Sequence, residues 1–421
     1  MEDTQDDDVY MFAAQTIMGH NQAILAAEED EIEKCNNQHD EQHRAGTIWY
    51  SKRAIYYHAE ALHCIKRDHL GEPNNPLMPV FNSRQFDLMF RISRTRFQCL
   101  MEDIAATGNT FYLNQVDAKK KNFEAKLLLQ LKTLDYGVAA HAFCDYFQMS
   151  PGFARSCCRE FDKAVMDVYQ KEYLRLPTPA DLKAITKLHK TVHKVDGMFG
   201  SLDCSHTTWK NCPKAWQGSF RGKEKKSTIV LEAICDYHLW FWHCSYGYAG
   251  TLNDKTILNL SPFLESFVNG KFSKLETEAG VVPFNVQDEE FKKLFVLVDG
   301  IYPRYSRFVR GIKEPISEEE KSYTAWQKGA RKDIERAFGV FEGKFQWISR
   351  LIHLHNLKDI AKRVGTCLVL HNMCVPDRIM EGDPRATYNP AASVQDELVL
   401  VEAPEDLREV QGFNDGASSI D

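Results

Sequence analysis

Apolar positions with helical spacing run through the first half of the chain. After Ser93, a possible N-cap, apolar residues recur at i, i+3, i+4 and i+7 and predict a helix. A leucine-rich stripe predicts a second helix that ends near Gly137. An amphipathic pattern over residues 47–69 predicts another helix, and residues 74–76 (Asn-Asn-Pro) then break the chain. This half is therefore expected to be all α.

Two helices joined by a short turn are expected over residues 138–169. Ser150-Pro151 is an N-cap followed by proline at the first helical position, and it begins the second helix. Such a pair favours a helix-turn-helix, whose second helix enters the major groove in DNA-binding proteins. The second helix carries a basic stripe of Arg155, Arg159 and Lys163. A helical bundle with a charged outer face explains the same pattern, so both interpretations stay open.

From Gly197 onward the apolar period changes to that of β-strands. Short apolar runs predict strands over residues 198–203, 228–235, 239–246, 295–298 and 308–312. Helices are predicted over residues 251–260, 318–346 and 358–373, the second of them interrupted at Gly329. This order predicts an α/β fold, with a mixed central sheet flanked by helices and preceded by an all-α region.

Composition and charge narrow the class of protein. The chain has 421 residues and 43% apolar content, enough for a large core. No apolar run approaches about 18 residues, and the start MEDTQDDD lacks signal-peptide character, so we expect a soluble intracellular protein with no membrane partner. Residues 1–45 carry 12 acids and 2 bases, whereas residues 46–376 carry 36 acids and 47 bases. A basic centre suits a polyanionic ligand, although an ordinary solvated surface has the same composition.

Three acidic residues stand out within these elements. Asp203 and Asp299 each follow a predicted apolar strand, and Glu335 lies at the edge of a helical apolar stripe. A buried carboxylate is unfavourable unless it is paired or bound to metal. Two carboxylates at neighbouring strand ends would repel each other unless a cation lay between them. Such hard oxygen ligands suit Mg²⁺ or Mn²⁺, and two ions about 3.5–4 Å apart would support phosphodiester displacement.

Each of these acids also has an ordinary explanation. An aspartate at a strand end is commonly a turn or cap residue, and a glutamate between bases is usually a solvated ion pair worth under ~1 kcal/mol. Asp254 and Glu342 are competing acids, since Asp254 is a candidate helix cap and Glu342 shares the helix face of Glu335. Zinc is a weaker alternative. Two sets contain zinc-ligand types without the usual paired spacing: Cys204, His206 and Cys212, and Cys235, His238, His243 and Cys244.

Several ordered motifs together resemble the PIF/Harbinger transposases, the plant-transposon-protein type of DDE superfamily endonuclease. The matching strings are GSLDCSHTTWKNCPKAWQG, TIVLEAICDYHLWFWHCSYGYAGTLND, LVDGIYP, GARKDIERAFGVFEGKF and LVLHNM. The resemblance covers residues 195–375 strongly and extends more loosely back to about residue 80. Residues 304–328 depart from the family pattern, with Glu318, Glu319 and Glu320 in sequence.

The resemblance implies an RNase H-like catalytic domain and a DDE-type nuclease or transposase. It places the catalytic and metal-binding acids on Asp203, Asp299 and Glu335, with Mg²⁺ or Mn²⁺ as two ions. It further implies action on double-stranded DNA at transposon ends and target sites, in the nucleus. A separate Myb-like DNA-binding protein is a common partner in the family, whereas self-association and a cytoplasmic share stay open. Candidates for DNA contact are Arg155, Arg159, Lys163, Arg331, Lys332 and Arg336.

Four regions are expected from these patterns. Residues 1–75 form an acidic, largely disordered region with a short helix, residues 76–192 a helix-turn-helix-like domain, residues 193–375 the endonuclease domain, and residues 376–421 an acidic disordered tail. Two other functions stay open beside a DNA-cutting enzyme. One is a domesticated, catalytically silent DNA-binding or adaptor protein, and the other is a metal hydrolase that does not act on nucleic acid.

Overall fold

A five-stranded mixed sheet forms the centre of the fold, in the order β3-β2-β1-β6-β7. Strand β1 pairs antiparallel with β2 and parallel with β6. Strands β2 and β3 are antiparallel, and β6 and β7 are parallel. A separate two-stranded ladder joins β4 and β5. The strands are β1 Met198–Thr208, β2 Thr228–Cys235, β3 Phe241–Ala249, β4 Phe284–Val286, β5 Glu289–Phe291, β6 Phe295–Leu297 and β7 Phe308–Val309.

The structure is a computed structural model that describes residues 64–71, 79–113, 123–222, 225–268, 271–286 and 289–380. Its α-helices are α1 Ser83–Phe90, α2 Arg94–Ala106, α3 Thr110–Leu113, α4 Phe123–Tyr136, α5 Cys144–Phe147, α6 Pro151–Tyr173, α7 Pro179–His193, α8 Asp254–Leu260, α9 Pro262–Val268, α10 Lys271–Glu278, α11 Glu318–Lys344, α12 Gln346–Ser349, α13 Leu357–Met373 and α14 Val375–Met380. A π-helical turn spans Lys66–Leu70, and a 3₁₀ turn spans Ala140–Phe143. The predicted mixed sheet flanked by helices is confirmed.

Sequence signals in the first half place several helix ends correctly. Ser93 caps α2 by accepting the Arg96 N–H at 3.2 Å, and Ser150 caps α6. Helix α4 ends at Gly137, whose φ of 62° favours glycine. The continuous helix predicted from Val138 to Phe147 is wrong. That stretch is a 3₁₀ turn followed by the single-turn helix α5, because the backbone of Phe143 leaves the helical region between them.

Strand β1 is longer than predicted, and this changes the setting of Asp203. The apolar run ends at Asp203, but the strand continues to Thr208 because residues 204–208 pair with β2. Asp203 therefore lies inside a central strand and not at its end. Both β2 and β3 are buried along their whole length, as expected for strands covered on both faces.

Helix α11 is continuous over 27 residues, so the predicted interruption at Gly329 is wrong. Gly329 is exposed, and a glycine in a helix weakens it by about 1 kcal/mol without breaking it when neighbouring turns are well formed. The predicted apolar stripe of α11 packs on the sheet, with Phe338 and Phe341 in ring contact with Phe241 of β3. This packing fixes the rotation of α11 and thereby the direction of its polar side chains.

The helical first half is joined to the second half by a buried polar network. Asp162 of α6 accepts from Arg363 of α13 at 2.8 Å and from Gln130 of α4 at 2.7 Å. All described residues belong to one compact unit, residues 58–402. The domain boundaries predicted within it stay predictions, and most of the predicted terminal regions 1–75 and 376–421 lies outside the described residues. Among the described helices, none has the length and apolar character needed to cross a membrane.

Candidate metal-binding carboxylate site

Asp203 lies within β1, and Asp299 comes two residues after the end of β6, the neighbouring parallel strand. Ser201 of β1 is the register partner of Leu297 of β6. Each aspartate comes two residues after its member of that pair, so the register places Asp203 and Asp299 at a similar level along the two strands. Asp299 is exposed, and its Oδ1 accepts the N–H of Gly300 at 2.5 Å.

Glu335 reaches the same region through an arginine on its own helix. Arg331 Nη1 donates to Asp203 Oδ2 at 2.7 Å, and Arg331 Nη2 donates to Glu335 Oε1 at 2.7 Å. The arginine and glutamate are four residues apart, which places them on one face of α11. One guanidinium therefore joins the strand carboxylate to the helix carboxylate. We call Asp203, Asp299, Glu335 and Arg331 the acid site.

The surroundings of Asp203 disfavour its negative charge. Burial raises the pKa of the Asp203 carboxyl, and the negative charge of Asp254 raises it further. The backbone N–H of Cys204, which donates to Oδ1 at 2.9 Å, and the Arg331 guanidinium both act in the opposite direction. A carboxylate in this setting is stabilised by any additional cation that reaches it.

Asp254, which the sequence suggested as a competing acid, acts electrostatically on Asp203. It lies in the first turn of α8, which Asn253 caps by accepting the Thr256 N–H at 2.9 Å. The helix predicted over residues 251–260 is thus present as Asp254–Leu260, and its cap is Asn253 while Asp254 is its first residue. The electrostatic effect of Asp254 on Asp203 was not predictable from the sequence, because it depends on how the β3–α8 connection folds back towards β1.

Tyr302 and its contacts connect the two chain segments that carry Asp203 and Asp299. Tyr302 N–H donates to the Asp299 carbonyl at 3.2 Å, and Tyr302 Oη lies 3.5 Å from Cys204 Sγ. Glu232, the register partner of Cys204, is fully buried and contacts His243 Nε2 at 3.1 Å through Oε2. Its Oε1 has no hydrogen-bond partner among the described residues.

The other predicted basic residues occupy two different places. Arg155, Arg159 and Lys163 are all exposed on α6, on the face opposite its buried residues, as the amphipathic pattern predicts. Lys332 is exposed on α11.

Arg336 donates to Asp333 Oδ1 at 2.8 Å, and its guanidinium lies 5.0 Å from the centre of the Tyr237 ring.

Asp333 also belongs to a histidine cluster that the sequence analysis overlooked. His193 Nε2 lies 2.6 Å from Asp333 Oδ2, and His189 is one helical turn before His193 on α7. Potential ligand atoms of these three residues lie within 4.8 Å of one another. The i, i+4 spacing of the histidines was a visible signal. We call His189, His193, Asp333, Arg336 and Tyr237 the histidine anchor.

The histidine anchor has little capacity left for a ligand. His189 Nδ1 contacts the Met198 carbonyl at 2.9 Å, and His189 Nε2 accepts the Tyr237 N–H at 3.1 Å. Both ring nitrogens of His189 are therefore in use, and burial lowers its pKa to about 4. The cluster connects α7, β1, the β2–β3 turn and α11 by hydrogen bonds, which is a structural role.

The acid site, by contrast, fits a divalent cation by the chemistry of its donors. Its protein ligands would all be carboxylate oxygens, which Mg²⁺ and Mn²⁺ prefer. The carboxylates of Asp203 and Glu335 already converge on one cationic group. Among the described residues, the three acids do not have ligand atoms within 4.8 Å of one another, and neither do the two cysteine-containing sets considered for zinc.

Comparisons with known proteins agree with the ordered motifs. A family model described as plant transposon protein matches residues 171–382. Protein ALP1-like from Arabidopsis thaliana is 19% identical over 312 residues, which cover 72% of this chain and 73% of that protein. No solved structure matches. The family match includes all three residues of the predicted carboxylate set.

Proposed function

The chain belongs to the plant transposon protein family, and we propose that it is a metal-dependent DNA endonuclease or transposase of the DDE type. The observation that carries the proposal is the convergence of Asp203 and Glu335 on one guanidinium, while Asp299 comes two residues after the adjacent strand β6. The two acids are 132 positions apart in sequence, from Asp203 to Glu335, and the packing of α11 against β1 brings both to one cationic group. A site that handles cations is the simplest reason for that convergence.

We assign the sheet to the RNase H-like class. An antiparallel β1–β2–β3 unit extended by parallel β6 on the far side of β1 supports the assignment. One acid comes from the central strand, one from the end of the neighbouring parallel strand, and one from a helix that packs across the sheet. This arrangement lets rigid elements position the acids, as a precise site requires.

Asp203, Asp299 and Glu335 are the residues that would hold the metal ions, Mg²⁺ or Mn²⁺. Two such ions, when bound, activate a water or 3′-hydroxyl and stabilise the leaving oxygen of a phosphodiester. The chain's own residues orient the ligands. The Cys204 N–H fixes one oxygen of Asp203, and Tyr302 holds the backbone of Asp299 against β1.

Double-stranded DNA is the proposed substrate, with the nucleus as the site of action. The exposed stripe of Arg155, Arg159 and Lys163 on α6 is a proposed contact to the DNA backbone, and Lys332 is another beside the acid site. A separate Myb-like protein that recognises the sequence, and self-association of the chain, remain part of this proposal. A helix-turn-helix role for α5 and α6 is supported by the three-residue turn between them.

A catalytically silent DNA-binding or adaptor protein is the second candidate. The observation that favours it is the pair of contacts that Arg331 makes with Asp203 and Glu335, which we call the Arg331 fork. Through these contacts Arg331 partly neutralises two of the three acids without any metal. A salt titration of DNA binding, run beside a Mg²⁺-dependent nicking assay, distinguishes the two candidates. Salt-dependent binding with no nicking at any Mg²⁺ or Mn²⁺ concentration supports the silent protein.

Substitution of Asp203 tests the proposed function directly. We expect Asp203→Asn to reduce Mg²⁺-dependent nicking of supercoiled plasmid by about a thousandfold, since it removes a charged ligand worth several kcal/mol in the transition state. DNA affinity, measured by fluorescence anisotropy, should stay within about threefold. The control is Asp196→Asn, which removes an exposed ion pair with Lys190 outside the site. Nicking by Asp203→Asn at the rate of the control refutes the assignment.

A further inference from the structure

Arg331 uses the same carboxylate oxygens that a metal ion would need. Its two terminal nitrogens donate to Asp203 Oδ2 and Glu335 Oε1, each at 2.7 Å. The remaining oxygen of Asp203 accepts the Cys204 N–H at 2.9 Å. Both oxygens of the central aspartate therefore accept hydrogen bonds without a metal, one from the backbone and one from the Arg331 side chain.

The two carboxylates differ in how much solvent can compete with the arginine. The side chains of Arg331 and Asp203 are 18% and 22% exposed, and that of Glu335 is 49% exposed. The contact with Asp203 is thus the more shielded and stronger half of the fork, because shielding from water strengthens charge-assisted hydrogen bonds. The contact with Glu335 is the half that opens more readily. A divalent cation could enter from that side.

We propose that Arg331 is a built-in competitor of the metal: it holds the metal-free acid site together and must leave Asp203 and Glu335 when a divalent cation binds. This inference rests on the proposed metal-dependent function. The guanidinium places a positive charge against Asp203 Oδ2 and Glu335 Oε1, and this charge repels a divalent cation that approaches the same oxygens. The cation therefore competes with the arginine, and the apparent metal affinity falls by the free energy needed to break the two arginine contacts.

A displaced Arg331 has a natural second partner in the substrate. Its side chain is on the same face of α11 as Glu335, within the solvent-accessible part of the site. Guanidinium groups bind phosphate oxygens in the same two-pronged way as they bind carboxylates. Arg331 would then exchange two carboxylates for a DNA phosphate, which couples loading of the metal to engagement of DNA.

Mn²⁺ binding to the full chain tests the competition without relying on catalysis. Titration calorimetry and electron paramagnetic resonance of free Mn²⁺ should show about tenfold tighter binding to Arg331→Gln than to the unsubstituted chain. Arg331→Lys should fall between them, because a single ammonium group cannot fork to both carboxylates. The control is Lys328→Gln, which removes an exposed positive charge one turn earlier on α11 and should change the affinity by less than twofold.

Thermal melting supplies a second readout and checks folding. In EDTA, Arg331→Gln should melt at a lower temperature than the unsubstituted chain, since Asp203 and Glu335 lose their shared cation. Saturating Mn²⁺ should raise its melting temperature more than that of the unsubstituted chain. If Arg331→Gln does not fold, the same two measurements on Arg331→Lys decide the matter.

The outcomes separate this inference from the proposed function. Equal or weaker Mn²⁺ binding by Arg331→Gln, in a chain whose unsubstituted form binds Mn²⁺, overturns the competition and leaves the proposed function standing. Absence of Mn²⁺ binding by both proteins at millimolar concentration overturns both. Tighter binding by Arg331→Gln that is abolished by adding Asp203→Asn supports both.

Discussion

Helix α11 contributes charged side chains to two clusters beside β1, and the clusters differ in how completely their polar atoms are paired. In the histidine anchor, both nitrogens of His189 and both oxygens of Asp333 have hydrogen-bond partners. In the acid site, Asp203, Asp299 and Glu335 outnumber the one arginine that joins two of them. The first arrangement is already satisfied by the protein alone.

This difference separates a structural cluster from the site that we propose to bind metal. Buried polar groups contribute to stability when every donor and acceptor is paired. The acid site instead holds three carboxylates beside one guanidinium, and a bound cation would supply the missing positive charge. The two clusters can thus be distinguished by counting the hydrogen-bond and ion-pair partners of their polar atoms. Their residue types alone, which include aspartates in both, do not distinguish them.

The largest expected effect is on catalysis in the acid site. Glu335→Gln should reduce Mg²⁺-dependent nicking by about a hundredfold to a thousandfold, because it removes a charge from a proposed metal ligand. Unfolding free energy should change by less than about 1 kcal/mol, since the side chain is half exposed. Rates come from plasmid nicking and stability from urea denaturation.

The matched control lies on the same face of the same helix. Glu342 accepts the Ser205 hydroxyl at 2.9 Å and has no contact with Arg331. Glu342→Gln should lower nicking by less than about threefold. Equal losses from both substitutions would contradict the distinction between a metal ligand and a supporting side chain.

A smaller effect, on stability, is expected in the histidine anchor. His189→Ala removes a fully buried side chain and leaves the Met198 carbonyl and the Tyr237 N–H without their partner. The free energy of unfolding should fall by about 2–4 kcal/mol. His353→Ala, at an exposed position, should change it by less than about 0.5 kcal/mol. A cost no larger than the control would show that the anchor does not stabilise the fold.

The pH dependence of that loss gives the smallest and most specific effect. Burial lowers the pKa of His189 from 6.5 to about 4 in the folded chain. Between these values the unfolded chain binds more protons, so the stabilisation by His189 is complete above about pH 6.5 and declines as the pH falls towards 4. The difference in unfolding free energy between the unsubstituted chain and His189→Ala should shrink by about 1–3 kcal/mol over that interval. A difference independent of pH would contradict a buried neutral imidazole.

Much of the fold was predictable because its signals are local. The caps Ser93, Ser150 and Asn253 and the end of α4 at Gly137 follow from the hydrogen-bonding and backbone preferences of single residues. The continuation of β1 beyond Asp203 did not, since residues 204–208 form a strand only through pairing with β2. The predicted helix interruption at Gly329 was wrong for the same reason, because the packing of α11 overrides the weak helix propensity of one residue.

The residue types of the site were predictable from the sequence, but the contacts between these residues were not. The motifs led to the PIF/Harbinger family, and that identification is confirmed at the level of the family. The roles of Asp203, Asp299 and Glu335 stay predictions. The Arg331 fork depends on the distance between β1 and α11, and the influence of Asp254 depends on the course of the β3–α8 connection. Neither contact is encoded in any short stretch of sequence.

Anomalous X-ray diffraction from crystals grown with Mn²⁺ tests the central claim most directly. We predict Mn²⁺ peaks in contact with carboxylate oxygens of Asp203, Asp299 and Glu335. We also predict that Arg331 has left both Asp203 and Glu335. Crystals saturated with Mn²⁺ that show no peak at these acids, with the Arg331 fork intact, would contradict the claim.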